Sequence, residues 1–203
     1  MIGIVSDSHD NIEAIREAVT FLNERNVSMV LHAGDFVAPF TVREWKNLKC
    51  PFHGVFGNND GEKKGLARAY SGMGAELKEF EEINVVEKKI ALYHGTITEF
   101  LSALISGGEY DVVVRGHTHN PEIKKEGKTL VINPGEICGY LTGKKTLCLL
   151  DIASMEATIH VLGAKPENPE EKKEETAQDI TLETKKEINH DDTVSGENKE
   201  TGK

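Results

Sequence analysis

Three scarcities narrow the class of protein that this 203-residue sequence can encode. Cysteine occurs only at Cys50, Cys138 and Cys148, and this odd, scattered set forms neither a disulfide framework nor a paired-thiolate zinc site. Long apolar runs are lacking, since none approaches the roughly 18 residues that a membrane span needs. No basic stretch followed by an apolar segment opens the sequence, so no secretory leader is expected. We therefore expect a cytoplasmic protein that does not bind membranes.

Basic residues are also in the minority. The sequence has 24 Lys and Arg against 34 Asp and Glu, with a net charge of −10 and a pI of about 5.3. This balance disfavours long nucleic acids as partners, because the protein would repel their phosphates. Residues 164–203 hold 12 acids and 7 lysines with only isolated apolar residues. We predict a folded domain over residues 1–163, followed by a disordered acidic tail over residues 164–203.

Strand-like apolar runs alternate with amphipathic helical segments over the first two thirds of the domain. Residues 2–5 form the first run, and residues 11–25 carry apolar side chains at the three- and four-residue spacing of a helix. Asp10, three residues before Glu13, is predicted to cap this helix. After residue 120 the pattern changes to paired strands, with a hairpin turn at residues 126–127. This order predicts an α/β protein with a mixed sheet system and helices packed outside it.

Five of the strand-like runs end in residues that bind hard or borderline metal ions. These residues are Asp7, His9, Asp35, Asn58, His94, His117 and His119. In α/β sheets, ligands bind in the crevice outside the carboxyl ends of the strands, so loops at these ends meet in one place. One aspartate or histidine there would carry no signal, but seven such residues at five strand ends indicate a metal site. His32 and His53 lie within apolar runs and are predicted to have core or packing roles.

The chemistry of these ligands favours two divalent transition metal ions. Carboxylate, imidazole and amide oxygen suit manganese, nickel, cobalt, iron or zinc, with manganese the leading candidate, and the lack of thiolates argues against a closed structural zinc site. Asp35 is the best candidate to bridge the ions, because its two carboxylate oxygens can serve one metal each. Two divalent cations outweigh the charges of Asp7, Asp35 and one hydroxide, so the site would attract a phosphate anion.

As an ordered set, the ligand motifs resemble those of the calcineurin-like metallophosphoesterase superfamily, and in length and spacing those of its small single-domain prokaryotic phosphodiesterases. The motifs are Asp7-x-His9, Gly34-Asp35, Gly57-Asn58-x-Asp60, the single His94 and Gly116-His117-x-His119. The resemblance implies a four-layer α/β/β/α sandwich of two mixed sheets with flanking helices. It also implies one metal held by Asp7, His9, Asp35 and His119, and a second held by Asp35, Asn58, His94 and His117. A metal-bridging hydroxide would then attack phosphorus in line with the leaving group.

The sequence departs from the superfamily pattern at two positions. Asn59 stands where relatives usually have a histidine that assists the leaving group, and an asparagine can donate a hydrogen bond to a phosphoryl oxygen but cannot supply a proton. We therefore predict that Asn59 contacts the substrate in catalysis, and that the enzyme favours aryl or nucleoside-linked esters, whose leaving groups need little protonation. Asn133 is a further candidate to bind substrate. Glu136 replaces a frequent serine and is expected to be an exposed turn carboxylate; pointing inward, it would favour diesters over doubly charged monoesters.

Three functions stay open from the sequence. The motifs favour a dinuclear-metal phosphodiesterase that acts on a small phosphodiester. A phosphomonoesterase that uses the same site is the first alternative. A non-catalytic protein-binding scaffold of the same fold, as in the retromer subunit that resembles this group, is the second. The sequence leaves the assembly state open and is compatible with a homo-oligomer.

Overall fold

Two mixed β-sheets packed face to face form the centre of the computed structural model, which describes residues 1–163. The strands are β1 (Ile2–Val5), β2 (Met29–His32), β3 (Phe52–Val55), β4 (Leu77–Lys78), β5 (Phe80–Val85), β6 (Lys88–Tyr93), β7 (Val112–Val114), β8 (Glu122–Glu126), β9 (Thr129–Asn133), β10 (Thr146–Asp151) and β11 (Glu156–Val161). One sheet has the order β11-β10-β1-β2-β3-β4, and the other the order β5-β6-β7-β9-β8. Each combines parallel and antiparallel neighbours. The predicted acidic tail lies outside the described residues.

The α-helices within residues 1–163 are α1 (Ile12–Glu24), α2 (Val42–Trp45), α3 (Lys63–Ser71) and α4 (Thr98–Ser106). The amphipathic period predicted for α1 is confirmed, because its apolar face is buried. The predicted cap is wrong: the side chain of Asn11, rather than that of Asp10, accepts the Ala14 N–H at 3.1 Å. Asp10 instead accepts the Ala38 N–H at 2.8 Å and ties the loop after β1 to the loop after β2. None of the helices in this part of the chain is long and apolar enough to cross a membrane.

Two apolar cores give the domain four layers. Between the sheets, side chains such as Leu31 and Val114 are fully buried. A second core lies between the six-stranded sheet and helices α1 to α3, and it includes Trp45. On the outer face of the five-stranded sheet, Phe100 of α4 packs edge-on against Tyr93, with ring centroids 4.9 Å apart. The order helix, sheet, sheet, helix confirms the predicted α/β/β/α sandwich.

Parallel pairing brings the ligand-bearing loops to one edge of each sheet. Strands β1, β2 and β3 run parallel, with Val5 beside His32 and His32 beside Gly54. Strands β6 and β7 run parallel in the other sheet, with Leu92 beside Val114. Parallel strands end at the same edge, and in stacked sheets such edges form a common crevice. The loops after these five strands are those that carry the predicted metal ligands.

Candidate metal centre

The loops after β1, β2 and β7 hold five of the predicted ligands in the left-handed region of backbone conformation. These residues are Asp7 (φ 52°), His9 (φ 39°), Asp35 (φ 62°), His117 (φ 70°) and His119 (φ 60°). Residues other than glycine rarely adopt this region, and the strain, on the order of 1–3 kcal/mol each, persists only where the surroundings enforce it. A concentration of strained residues at adjoining strand ends is typical of a functional site.

Side chains from these three loops form a first group of ligand atoms. It consists of Asp7, His9, Asp35 and His119, whose carboxylate oxygens and ring nitrogens lie within 4.8 Å of one another. His9 Nε2 is 3.4 Å from Asp35 Oδ2, and His119 Nε2 is 3.4 Å from Asp7 Oδ1. Ligands arranged tetrahedrally around one ion, at about 2.1 Å from it, lie roughly 3.4 Å apart. The first group therefore has the spacing of a single metal site.

Asn58, His94 and His117 form a second group beside the first. Asn58 Oδ1 lies 2.9 Å from His94 Nε2 and 2.8 Å from His117 Nδ1. His94 Nε2 is also 3.5 Å from Asp35 Oδ2. Amide oxygen, imidazole and carboxylate are again ligands for a divalent transition metal. The structure thus brings all seven predicted ligands together, in two adjoining groups that share Asp35.

The position of the Asp35 carboxylate corrects one detail of the prediction. The sequence suggested one oxygen for each metal, but Oδ2 alone approaches both His9 of the first group and His94 of the second. Oδ1 instead accepts the backbone N–H of Asn59 at 2.8 Å. The Asn59 side chain lies beside this carboxylate as well, since its Nδ2 donates to Asp35 Oδ2 at 2.8 Å. An amide nitrogen carries two protons, so Asn59 keeps one for another acceptor.

Two buried atoms of the first group, Asp7 Oδ1 and His9 Nε2, have no hydrogen-bond partner among the described residues. Leaving a buried polar atom unpaired costs on the order of 1–3 kcal/mol. Such atoms in native proteins are normally paired with protein groups, water or ions. A divalent cation between them would satisfy both, because carboxylate oxygen and unprotonated imidazole nitrogen bind transition metals. The residues present therefore fit the kind of metal that the sequence predicts.

In His94 and His119, a hydrogen bond to the ring nitrogen that points away from the centre fixes which nitrogen faces it. His94 Nδ1 is 2.6 Å from the carbonyl oxygen of Ala33, which accepts its proton and leaves Nε2 to face the ligand groups. His119 Nδ1 is 2.7 Å from Glu136 Oε2, an arrangement in which a carboxylate orients a metal-binding histidine. Both rings are thus held in the orientation that metal binding requires.

Glu136 is the functional residue that the sequence analysis placed wrongly. It is fully buried rather than exposed. Besides His119, its carboxylate accepts hydrogen bonds from the N–H groups of Tyr140, Leu141 and Thr142, the Thr142 hydroxyl and the Cys138 thiol. Burial raises the pKa of Glu136, but these hydrogen bonds outweigh burial and lower the pKa to about 2. Glu136 is therefore an anion that orients His119.

Burial and neighbouring charged groups shift the pKa values of Asp7, Asp35 and His94. Burial raises the pKa of Asp7, although the charges of His94 and His119 oppose the shift. Burial also raises the pKa of Asp35, but the His94 contact and the Asn59 hydrogen bonds outweigh it and lower the pKa below its usual range. For His94, burial lowers the pKa, and Asp35 more than reverses this effect. A cation at the centre would favour the deprotonated form of all three groups.

Asn133, which the sequence suggested as a substrate contact, is bonded to the loop after β7 in the structure. Its side chain is fully buried, and Nδ2 donates to the carbonyl oxygen of Gly116 at 3.0 Å and to Thr118 Oγ1 at 2.9 Å. Through these contacts Asn133 braces the loop that carries His117 and His119. Its contact with substrate stays a prediction.

The two histidines for which the sequence predicted core or packing roles differ from each other in burial. His32 is fully buried, with its ring stacked on Phe36 at a centroid distance of 3.9 Å and Nε2 3.1 Å from Ser8 Oγ. Burial lowers its pKa well below the usual range, so it is a neutral packing residue as predicted. His53 is half-buried and lies 3.2 Å from the Glu81 carboxylate, so of the two predicted roles it has the packing role and is not a core residue.

Close backbone packing holds the loops after β2 and β3 together. A Cβ at Gly57 would lie 2.0 Å from Asp35 Oδ1, so the backbone can approach the carboxylate only because the residue is glycine. The buried Asp60 carboxylate accepts the N–H groups of Gly57 at 2.7 Å, Asp35 at 3.1 Å and Val37 at 2.7 Å. The sequence showed Asp60 only as the end of a motif, because its partners are backbone groups on another loop.

Comparison with known proteins identifies the class that this fold and centre define. Residues 1–155 match the family model described as the calcineurin-like phosphoesterase superfamily domain. The chain therefore belongs to the calcineurin-like phosphoesterase superfamily, and it is a metal-dependent phosphoesterase.

Individual relatives agree with this assignment. A protein of Methanocaldococcus jannaschii named as a phosphodiesterase is 40% identical over 157 residues, which cover 76% of this chain and 95% of the relative. A probable metallophosphoesterase of Methanothermobacter thermautotrophicus is 33% identical, over 66% of this chain and 76% of the relative. A solved structure described as a novel archaeal phosphodiesterase is 39% identical, with a TM-score of 0.77, and covers 79% of this chain and 99% of its own. Zinc-bound Vps29 of Entamoeba histolytica shares the fold, with a TM-score of 0.57 and 24% identity over 79% of this chain and 90% of its own.

Proposed function

We propose that this protein hydrolyses small phosphodiesters at a centre of two divalent transition metal ions. One observation carries the proposal: two groups of ligand atoms lie side by side and share Asp35 Oδ2. One ion would be held by Asp7, His9, Asp35 and His119, and the other by Asp35, Asn58, His94 and His117. The diester substrate is supported by the relative of Methanocaldococcus jannaschii, which is named a phosphodiesterase and matches over 95% of its length.

The chain contributes charge, orientation and one hydrogen-bond donor to the reaction. Two bound divalent ions would supply a nucleophile derived from water at neutral pH and would stabilise the attacking and leaving oxygens of an in-line displacement. Asp7 and Asp35 bring only two negative charges, so the loaded centre attracts the substrate phosphate. Asn59 lies against Asp35 and directs its remaining amide proton to a phosphoryl oxygen.

The leaving group follows from the chemistry of Asn59. A side-chain amide does not release a proton at neutral pH, whereas general-acid assistance is typically worth about 10²–10⁴-fold in rate. Esters whose leaving groups are stable as anions, such as phenols, need this assistance least. We therefore assign aryl and nucleoside-linked diesters as the preferred substrates.

Metal content and turnover of two matched substrates test this function. We expect elemental analysis to find about two ions per chain after loading with manganese, nickel, cobalt, iron or zinc. Bis-para-nitrophenyl phosphate should be hydrolysed faster than para-nitrophenyl phosphate. Asp35→Asn should lower kcat/KM by more than about 100-fold and reduce the metal content. Asp111→Asn is the matched control, because Asp111 precedes β7 at the end of the strand that faces away from the centre.

The outcomes separate the alternatives. Faster turnover of the monoester would replace the diesterase with a phosphomonoesterase on the same ligands. Protein that binds no metal stoichiometrically and turns over neither ester would support the scaffold, for which the likeness to Vps29 supplies only the fold. Equal activity of the Asp35 and Asp111 variants would overturn the assignment of the bridging carboxylate.

A further inference from the structure

A cavity of about 410 Å³ adjoins the half of the centre that contains Asn58 and His94. Its wall is mainly aromatic and apolar, and includes Phe56, Phe80, Tyr93, Ile97, Phe100 and Asn58. We infer that this cavity, here called the aromatic subsite, binds a planar ring of the phosphoester substrate, either an aryl group or a nucleobase. The inference deepens the proposed function and rests on it, because it takes the phosphate to be bound at the metal centre.

The position of the aromatic subsite links it to the metal centre. Asn58 belongs to both, since it lines the cavity and places Oδ1 2.9 Å from His94 Nε2. Phe56 follows β3 one residue before Gly57, and Tyr93 is the last residue of β6, next to His94. The cavity therefore opens from the same strand ends as the second ligand group. A substituent on a phosphate bound at the centre has this cavity as its neighbour.

The rings of the subsite are arranged to accept another ring. Tyr93 and Phe100 are edge-to-face, with centroids 4.9 Å apart, and Phe80 and Phe100 are edge-to-face at 5.8 Å. The Ile97 N–H donates to the Tyr93 hydroxyl at 2.8 Å, which fixes the Tyr93 ring. Aromatic rings gain from such edge and offset contacts beyond the area that they bury. A planar ligand group entering the cavity would extend an existing aromatic cluster.

Part of this apolar wall is turned toward solvent. Phe100 is 39% exposed and Ile97 is 57% exposed, although both are large apolar side chains. Helix α4, which carries Phe100, has no fully buried residue of its own. Contiguous exposed apolar surface of this kind is typical of a ligand-binding groove, because a bound ligand removes it from water.

Polar groups at the mouth of the cavity suit the edge of a heterocycle. Lys63 Nζ and Glu79 Oε1 form an ion pair at 2.7 Å, with side chains 45% and 70% exposed. An exposed pair of this kind adds little to folding stability. It offers a hydrogen-bond donor and an acceptor side by side, which a nucleobase can use and a simple phenyl ring cannot. The apolar wall binds either ring, whereas the ion pair distinguishes between them.

Two pairs of ligands that differ only by a ring test the subsite. Phenylphosphonate and methylphosphonate share one anionic head, and adenosine monophosphate and ribose phosphate share another. Calorimetry with manganese-loaded protein should show the ring-bearing member of a pair binding at least about tenfold more tightly. In Phe100→Ala the tighter binding of the ring-bearing ligand should shrink to less than about threefold. Phe100→Leu removes the ring but keeps an apolar side chain, so it tests the same loss with a smaller risk to folding. Phe21→Ala is the control, because Phe21 is a partly buried aromatic residue on α1 that packs against His160, outside the cavity.

The results separate failure of the subsite from failure of the proposed function. Equal binding within both ligand pairs would overturn the subsite and leave the metal centre intact. Failure of every head group to bind the loaded protein would overturn both. A ring preference that persists in both Phe100 variants, with melting temperatures like that of Phe21→Ala, would also overturn the subsite. A ring preference within the nucleotide pair, with or without one in the phosphonate pair, assigns a nucleobase. Preference within the phosphonate pair alone assigns an aryl group.

Discussion

A methyl group at Gly57 tests how the carboxylate of Asp35, the proposed bridge between the metal ions, is held. A Cβ there would lie 2.0 Å from Asp35 Oδ1 and 2.5 Å from the Asp35 backbone nitrogen, whereas real Cβ contacts are essentially never under 3.0 Å. Either the loop after β2 or the loop after β3 must therefore move by on the order of 1 Å, a displacement that can lower catalytic rates by about 10²-fold. We expect Gly57→Ala to lower kcat/KM for bis-para-nitrophenyl phosphate by about this factor. Metal affinity should fall by about 10–100-fold, the range for lost support of a ligand.

Gly61 provides the matched control for this substitution. It lies in the same loop, but a Cβ added there would meet nothing within 4 Å. Gly61→Ala should therefore bind metal and hydrolyse the diester within about twofold of the unmodified protein. Calorimetric metal titration, steady-state kinetics and thermal melts of both variants make the comparison, and the melts show whether each is folded. If Gly57→Ala and Gly61→Ala bind metal and turn over alike, the contact between Gly57 and Asp35 does not determine the position of the carboxylate.

Three further predictions address the other groups of the centre. Metal at about 100 times its Kd should stabilise the protein by about 2.7 kcal/mol. Asp7→Asn should abolish that gain without lowering the melting temperature of metal-free protein, because Asp7 is a buried carboxylate with an unpaired oxygen. A lower metal-free melting temperature of the variant would argue against this reasoning. Glu136→Gln should weaken metal binding by about 10–100-fold in a calorimetric metal titration, because the glutamine amide cannot accept every hydrogen bond that the carboxylate accepts around His119. An unchanged metal affinity would show that Glu136 does not support the centre. Asn59→His should accelerate the hydrolysis of esters with poorly acidic leaving groups by up to about 10²-fold, and it should flatten the plot of log kcat/KM against leaving-group pKa. A flat plot for the unmodified protein would refute the role given to Asn59.

The site residues that could be predicted from the sequence are those that directly follow the end of a strand. A buried parallel strand has a recognisable apolar run, and the chain must leave the sheet where the run ends. Asp7, Asp35 and His94 each follow such a run directly, so their meeting at one edge could be predicted. The four-layer arrangement came from the resemblance of the motifs. The sequence patterns alone predicted only a mixed sheet with helices outside it.

The features that the sequence could not show depend on side-chain direction and on partners distant in the chain. Glu136 follows a turn signal, and its burial arises because a loop folds over it and donates several backbone N–H groups. Asn133 ends β9 at the edge of the crevice, yet its side chain turns into the loop after β7. The short strand β4 has no apolar period long enough to recognise. Each of these depends on tertiary contacts, which periodicity does not encode.

The metal centre is also where this chain departs from the rules that the rest of it follows. Helix α1 and the two cores agree with simple patterning, whereas the strand-end loops combine left-handed backbone, unpaired buried atoms and two neighbouring carboxylates. Each of these features destabilises the metal-free fold, and a cation relieves the last two directly. The surrounding strands fix the ends of these loops, and the loops in turn position the ligand side chains. The strand-end loops keep features that destabilise the fold, while the rest of the sequence favours it. This contrast is itself an argument that selection at this edge acts on chemistry rather than on folding.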